Sequence, residues 1–308
     1  MGKERSRFAD YLVYLVVRFV VCIIQTLSYE AACKVARGLA WLAYRVDKRH
    51  RLVADANLRQ AFPERYKGKV PLEEIRAIYR HFCNLMIEIV HLPRRLHPTT
   101  WRRHLDLQSG RQFVEALLSD RPLLLVTGHF GNWEVGGYAL ALLGFKTHAI
   151  ARPLDNPYCD DFLRHFRERT GQGILAKKGD FDQMQAILAK GGVLATLADQ
   201  DAGQRGLFVD FFGKPASTHK AVALLALEYK VPMLVMGVRK IGEPMRFQTV
   251  FADFILPEDY EGQPNAVKAI TQRYTTALER VVRTAPDQYF WLHRRWKHQP
   301  AKSRKQAA

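Results

Sequence analysis

Cysteine is scarce in this chain of 308 residues: there are four, at 22, 33, 83 and 159, with no C-x-x-C pair among them. That excludes a disulfide-stapled scaffold and a zinc knuckle, and it fits a reducing compartment. Acidic residues are also few. Thirty Asp and Glu stand against 47 Lys and Arg, a net charge of +17. Such an excess points to an anionic partner: nucleic acid, an anionic membrane surface or a phosphorylated substrate. The sequence has no C2H2 pattern, no RNP-like stretch and no basic helix free of apolar residues, so no nucleic acid is expected as that partner. It has no G-x-S-x-G elbow to present a serine nucleophile. It has no internal repeat and no low-complexity segment. No A-x-A-like cleavage site follows its apolar N-terminal run, which argues against a cleaved signal peptide.

That run is "YLVYLVVRFVVCIIQTL", 11–27. It sits at the short end for a spanning helix. Arg18 lies mid-run, where an arginine costs on the order of 2.5–3.5 kcal/mol on insertion scales. We read a membrane anchor, shallow or spanning. "AACKVARGLAWLAYRV", 31–46, carries Lys34, Arg37 and Arg45 among apolar residues, the pattern of an interfacial helix whose cations face lipid phosphates. Residues 1–47 therefore form an anchor and interfacial helix, 48–300 the main domain and 301–308 a basic tail.

The apolar fraction of 48% supports a sizeable core for that domain. Helices are expected at 48–62, ended by Pro63, and at 72–92, where Ile75, Ile78, Tyr79, Phe82, Leu85 and Met86 form one stripe. From 121 onward strand and helix alternate: strands at 122–127, 146–151, 193–198, 233–240 and 246–251, helices at 134–144, 156–171, 180–192, 217–230 and 266–285. The fold class is α/β, a largely parallel central sheet flanked by helices, with the N-terminal hydrophobic anchor helix added. In such sheets sites gather at the carboxyl ends of strands.

"VTGHFGNWEVGG", 126–137, lies at one such end. His129 follows the 122–127 strand and Glu134 opens the next helix. Five helical positions span about 500°, so the two share no helix face and meet only across a turn. A carboxylate on the far nitrogen of an imidazole makes it a general base, and we expect Glu134 to supply that carboxylate. The helix start after Asn132 adds a positive field, which should keep His129 neutral and stabilise an oxyanion. No nucleophile accompanies the pair, so direct transfer is expected: His129 takes a proton from an acceptor hydroxyl that attacks an activated acyl carbonyl. The same dyad working on water would make a hydrolase.

Other residues carry competing readings. Arg164, Arg167 and Glu168 share a helix, either as a solvated face or with Arg167 forking a phosphate. Asp199 and Asp201 flank Gln200 at another strand end; no His or Cys cluster supports a metal there, and orienting the dyad or the acceptor is the expected role of Asp199. Ser217 or Thr218 is a helix N-cap, or the helix start beside Lys214 and Lys220 is a phosphate site. "WLHRRWK", 291–297, reads as a headgroup surface of tryptophans and cations.

"GHFGNWE" resembles the H-x4-D/E motif of the glycerolipid acyltransferase superfamily. Together with "ANLRQAFPE" (56–64), "ARPLDNP" (151–157), "FRERTG" (166–171), "LADQDAG" (197–203), "GLFVDFFGKPASTHK" (206–220) and "YFWLHRRWK" (289–297), it is similar to the lipid A biosynthesis acyltransferases, late lauroyl and myristoyl transferases of Gram-negative bacteria. H-x4-E alone is a weak motif; seven segments in order are a strong one. The resemblance implies a catalytic dyad at His129 and Glu134, and substrate contacts at Arg167, Asp199, Arg152, Asn132 and Lys214. It implies no metal or other cofactor, with acyl carrier protein or coenzyme A bringing the acyl group as co-substrate. The implied partners are a lipid A precursor, acyl carrier protein and the anionic lipid of the bacterial inner membrane, at its cytoplasmic face. A glycosylated phosphoinositide or a lysophospholipid is the alternative acceptor.

Overall fold

The computed structural model describes residues 6–107, 111–176 and 180–300. Three helices open the chain, α1 (Arg7–Thr26), α2 (Tyr29–Val46) and α3 (Lys48–Ala61), each started by a side chain that accepts from the first turn: Ser6 from the Ala9 N–H, Ser28 from Ala31 and Asp47 from His50. They are followed by α4 (Leu72–Arg95), α5 (Trp101–His104), β1 (Leu105–Asp106), α6 (Arg111–Leu118), β2 (Leu123–Thr127), α7 (Trp133–Leu142), β3 (Thr147–Ala151), α8 (Pro157–Glu168) and β4 (Gly173–Ala176). The remainder comprises α9 (Phe181–Ala189), β5 (Val193–Leu197), β6 (Leu207–Phe211), β7 (Lys214–Thr218), α10 (Ala221–Glu228), β8 (Met233–Gly242), β9 (Arg246–Ile255) and α11 (Ala266–Arg283).

Seven strands form one sheet in the order β1-β9-β8-β2-β5-β3-β4, parallel at every junction except β8 with β9. β2 is central and covered on both faces. Leu123 and Leu125 point into an apolar layer with α2, α4, α6 and α7, while Leu124 and Val126 point into a second layer with α9, α10 and α11. That is the period-two alternation of a strand, and burial on both sides explains why β2 reads as a continuous apolar run. β5 returns to fill the gap between β2 and β3, so the carboxyl ends of β2 and β5 lie side by side.

α2 contributes Tyr29, Ala32 and Ala36 to the core beneath the sheet. It is built into the α/β body, and only its outer face is free. α1 is different: among its residues only Asp10 is buried. It is the one described helix long and apolar enough to cross a membrane. Ser217 and Thr218, expected to start a helix over 217–230, instead end β7, the second strand of an antiparallel hairpin with β6, and the helix starts only at Ala221. The basic tail 301–308 lies outside the described residues.

Candidate active site

β2 and β5 run parallel with Thr127 opposite Leu197. Two residues beyond each lies a functional group, His129 after β2 and Asp199 after β5, and the register carries them to the same level. The two chains stay together past the sheet, where the Ala198 N–H donates to the Thr127 carbonyl at 2.9 Å. The result is a close pair: His129 Nδ1 lies 2.8 Å from Asp199 Oδ1, and the His129 backbone N–H donates to Asp199 Oδ2 at 2.8 Å. Gly128 makes room, since a Cβ there would stand 3.1 Å from the Asp199 carboxyl carbon.

The carboxylate on the imidazole is therefore that of Asp199, where the sequence suggested Glu134. Glu134 faces Arg167 of α8, which donates through Nε to Oε2 at 2.9 Å and through Nη2 to Oε1 at 2.5 Å; Trp133 Nε1 adds a third donor at 3.1 Å. The Arg167 fork expected for a phosphate is engaged by Glu134. The electrostatics of His129 also differ from expectation. Burial by itself would lower its proton affinity, but the Asp199 charge and hydrogen bond outweigh it, so the pKa is raised above the ordinary histidine value. The field of a helix start would act the other way, and an adjacent carboxylate is the stronger influence. Burial opposes ionisation of Asp199 as well, yet the His129 charge and both hydrogen bonds hold its pKa down at about 2. With Nδ1–H committed to Asp199, Nε2 is the free base, and Gln200 Nε2 stands 3.4 Å from it.

His129 opens onto a cavity of about 530 Å³ between the ends of β3 and β5 and helices α8 and α10. Its wall is mostly apolar, with Ile150, Leu163, Met184, Leu197 and Leu225, while Arg152, Arg164 and Arg167 supply cations. A second cavity of about 90 Å³ shares Trp133, Ile150 and Leu197 with the first, and a third of about 260 Å³ shares Gly136, Leu140 and Met236 with the second. Three cavities with apolar walls thus lie next to one another from the base inward past α7. Among the described residues no group of three or more His, Cys, Asp or Glu is arranged to hold a metal ion. Asp199 and Asp201 diverge, the latter pairing with His298 Nδ1 at 2.6 Å.

The remaining sequence candidates are spread out. Arg152 lines the cavity and pairs with Asp155 at 3.0 Å. Asn132 is fully buried; its Oδ1 accepts from the Val135 N–H to cap α7, and its Nδ2 donates to Glu88 Oε2 at 2.8 Å. Lys214 is exposed at the tip of the β6–β7 hairpin and does not line the cavity. Ser217 and Thr218 are buried in β7, where Thr218 Oγ1 and the Ser217 carbonyl accept from Arg295. Arg295 is only 2% exposed and Trp291 only 1%, so these two belong to the core and not to a headgroup surface, while Arg294 and Lys297 of the same segment are exposed. Trp291 packs edge-on against Phe62, Phe212 and Tyr289.

Sequence reasoning expected α4 as an amphipathic helix but gave no role to its polar residues His81 and Glu88. His81 Nε2 lies 3.0 Å from the Gly131 carbonyl, with burial pushing its pKa down to about 4, so the neutral ring donates. Glu88, two turns along, holds Asn132 and pairs with Lys240 at 2.8 Å. α4 thereby grips the 129–134 turn at two points. Gly131 itself has φ +57°, and a Cβ there would fall 1.8 Å from the Val238 carbonyl oxygen. The signal available was the i, i+7 spacing of His81 and Glu88 on one helix face. Nothing in a single sequence ties that face to this turn.

The sequence matches the family model described as bacterial lipid A biosynthesis acyltransferase over residues 2–298. The lipid A biosynthesis lauroyltransferase of Escherichia coli (strain K12) is 26% identical over 288 residues, 91% of this chain and 90% of that protein. The lipid A biosynthesis palmitoleoyltransferase of the same organism is 25% identical over 279 residues, 89% and 87%. A phosphatidylinositol mannoside acyltransferase of Mycobacterium tuberculosis (strain ATCC 25618 / H37Rv) is 24% identical over 223 residues, 71% and 68%. A family match spanning nearly the whole chain, over a strand-end base that opens into apolar space, shows that the chain belongs to the bacterial lipid A biosynthesis acyltransferases and is an acyltransferase.

Proposed function

We propose that the chain moves a fatty acyl group from an acyl thioester, carried by acyl carrier protein or coenzyme A, to a hydroxyl of a lipid A precursor at the cytoplasmic face of the bacterial inner membrane. One observation carries the reading: His129, made basic by Asp199, faces a cavity whose wall is apolar with a cationic rim. A fatty chain fits the apolar part, and the arginines suit a phosphorylated glycolipid or the phosphopantetheine arm of the donor.

The chemistry follows from the free Nε2. The acceptor hydroxyl gives its proton to His129 as its oxygen bonds to the thioester carbonyl carbon. Asp199 stabilises the imidazolium formed. The tetrahedral intermediate expels the thiolate as the C–S bond breaks, and the thiolate takes the proton back from His129. No acyl-enzyme is formed. Glu134 fixes Arg167 in the wall, placing a cation near the developing oxyanion.

Mass spectrometry of the lipid made by purified protein, offered acyl carrier protein and coenzyme A donors of several chain lengths, tests the reading. A lipid A precursor heavier by one ester-linked acyl group is expected. A precursor left unchanged while another lipid gains the acyl group would move the acceptor elsewhere. The 24% identity to a phosphatidylinositol mannoside acyltransferase makes a glycosylated phosphoinositide the second acceptor for the panel, with a lysophospholipid as the third. Donor hydrolysis with no lipid acylated would make the protein a hydrolase.

A further inference from the structure

α1 and α2 both leave apolar faces uncovered, and how α1 is held determines what those faces meet. Phe8, Leu12, Val16, Phe19 and Ile23 follow one another at intervals of three or four residues, one helix face, and are 45–70% exposed. Val13, Leu15 and Val20 beside it are 43–52% exposed, and a narrower stripe on the other side is docked. Asn156 Nδ2, at the start of α8, donates to the Asp10 carbonyl at 2.8 Å. Tyr11 and Tyr14 pack against Tyr158 at 5.3 and 6.1 Å between ring centroids. The Arg18 guanidinium sits 4.9 Å from the Phe162 ring centroid. At the far end Arg94 of α4 donates to the Gln25 carbonyl. Asp10, Tyr14, Arg18 and Gln25 form one stripe, so α1 is fastened to the body at both ends and between them.

We propose that α1 lies in the plane of an anionic bilayer surface and does not cross the membrane, its outer face and that of α2 together forming the lipid-binding surface. The length of α1, about 30 Å at 1.5 Å per residue, would allow a crossing. The docking does not. A crossing helix held along α8 would draw that helix into hydrocarbon with its Asp160, Asp161 and Arg164, and such charges are expelled from the bilayer interior. The mid-run arginine that counts against insertion is placed here on an aromatic ring of α8, on the side away from the apolar face. α2 continues the surface with Leu39, Trp41, Leu42 and Val46, 50–71% exposed. Lys34, Arg37 and Arg45 are exposed among them, with Arg45 over the Trp41 ring at 5.1 Å. Apolar side chains bordered by cations and an interfacial tryptophan match an anionic headgroup layer.

Tyr158 and Phe162 of α8 face α1, while Asp160, Leu163, Arg164 and Arg167 on the opposite side line the cavity. Two packed helices, α1 and α8, each about 10 Å across, lie between the outer face of α1 and the space in front of His129.

Depth measurements on full-length protein test the proposal. Spin labels are placed at L12C, F19C and I23C, one at a time, with the four native cysteines changed to serine. The protein is bound to vesicles of phosphatidylglycerol and phosphatidylethanolamine, and label depth is read from oxygen and nickel-chelate accessibility. The three labels are expected at one shallow depth, about 5–10 Å below the headgroups. A depth that changes by about 16 Å between positions 12 and 23, or labels left in water, would overturn the proposal. Should the serine background fail to fold, a peptide tag before Met1 of the otherwise native chain serves in inverted membrane vesicles. External protease removes the tag if α1 lies in the plane, and a protected tag means that α1 crosses. Neither readout depends on acyl transfer, so the proposal and the assigned reaction stand or fall separately.

Discussion

Asp199→Asn separates the two candidate carboxylates. In the wild type Asp199 Oδ2 accepts from the His129 backbone N–H and Oδ1 lies on Nδ1, both at 2.8 Å. An asparagine has one oxygen for those two positions. The backbone N–H is fixed and can only donate, so the amide oxygen goes to it and the amide NH2 is turned toward Nδ1. Nδ1 must then accept, the ring proton moves to Nε2, and the free base disappears. The charge that stabilises the imidazolium is lost as well. In Ser-His-Asp triads the same tautomer reversal costs about 10⁴ in kcat. Here kcat is expected to fall by about 10³ to 10⁴, roughly 4–5.5 kcal/mol in the barrier, with the acceptor KM little changed because Asp199 is buried behind the imidazole. Residual activity should titrate at lower pH, because the strongest influence that raises the His129 pKa has gone and only the Glu134 charge remains. The assay is initial-rate acyl transfer to lipid across a pH series, with product resolved by mass. Retention of kcat within about tenfold, or a loss confined to KM, would refute the assignment of Asp199 as the partner of His129.

Three further outcomes follow from the same geometry. Gly131→Ala puts a Cβ 1.8 Å from the Val238 carbonyl oxygen at a φ of +57°; a loss of about 3 kcal/mol, or a Tm lower by roughly 5 °C, is expected, and an unchanged Tm would deny the turn its constraint. Glu88→Ala leaves Asn132 Nδ2 without its buried acceptor and Lys240 with only Glu243 and the Tyr29 hydroxyl, and should cost about 3 kcal/mol, with kcat falling as the α7 start loosens. Glu88→Gln keeps an acceptor for Asn132 and should recover most of kcat, whereas equal losses in the two variants would show that the carboxylate charge, not the grip on Asn132, is what matters. The third outcome concerns pH. The Asp199 pKa is depressed from 3.8 to about 2, so its contribution is present above pH 3.8 and is lost as pH falls toward 2; the His129 pKa is raised, so its contribution is present below pH 6.5 and fades as pH rises through the folded value. The gap in urea midpoint between wild type and Asp199→Asn should be widest between about pH 4 and 6.5, and a gap independent of pH would contradict the ion pair.

The strands that build the site were legible because burial on both faces forces continuous apolar runs, as at 122–127 and 193–198. His129 and Asp199 were each recognisable as residues just past such a run. An orienting role for Asp199 was read from its place at a strand end, but its direct contact with His129 was not, because that depends on β5 returning to lie next to β2, and that adjacency is a property of the sheet order. The argument that His129 and Glu134 share no helix face holds, but a turn that separates them does not oblige them to meet. Glu134 found Arg167 across a crossover connection that local pattern cannot reveal. The 291–297 segment misled for a related reason: alternating Trp and Arg look alike at a headgroup surface and in a core, and only the carbonyl of Ser217 and the hydroxyl of Thr218, received from a distant hairpin, make the buried Arg295 affordable. Lys214 belongs to that same hairpin, whose tip points away from the cavity.

The central claim is that His129 removes the proton from a lipid hydroxyl in a single direct transfer. A single-turnover experiment tests it most directly, with enzyme in excess over radiolabelled acyl donor, acceptor lipid present or withheld, and His129→Ala run in parallel. The wild type should pass the label straight to lipid, leave none covalently bound to protein at any time, and release little donor thiol when acceptor is withheld; the variant should bind donor yet transfer it at least about 10³-fold more slowly. Label trapped on the protein, or transfer by the variant at a rate near that of the wild type, would contradict the account.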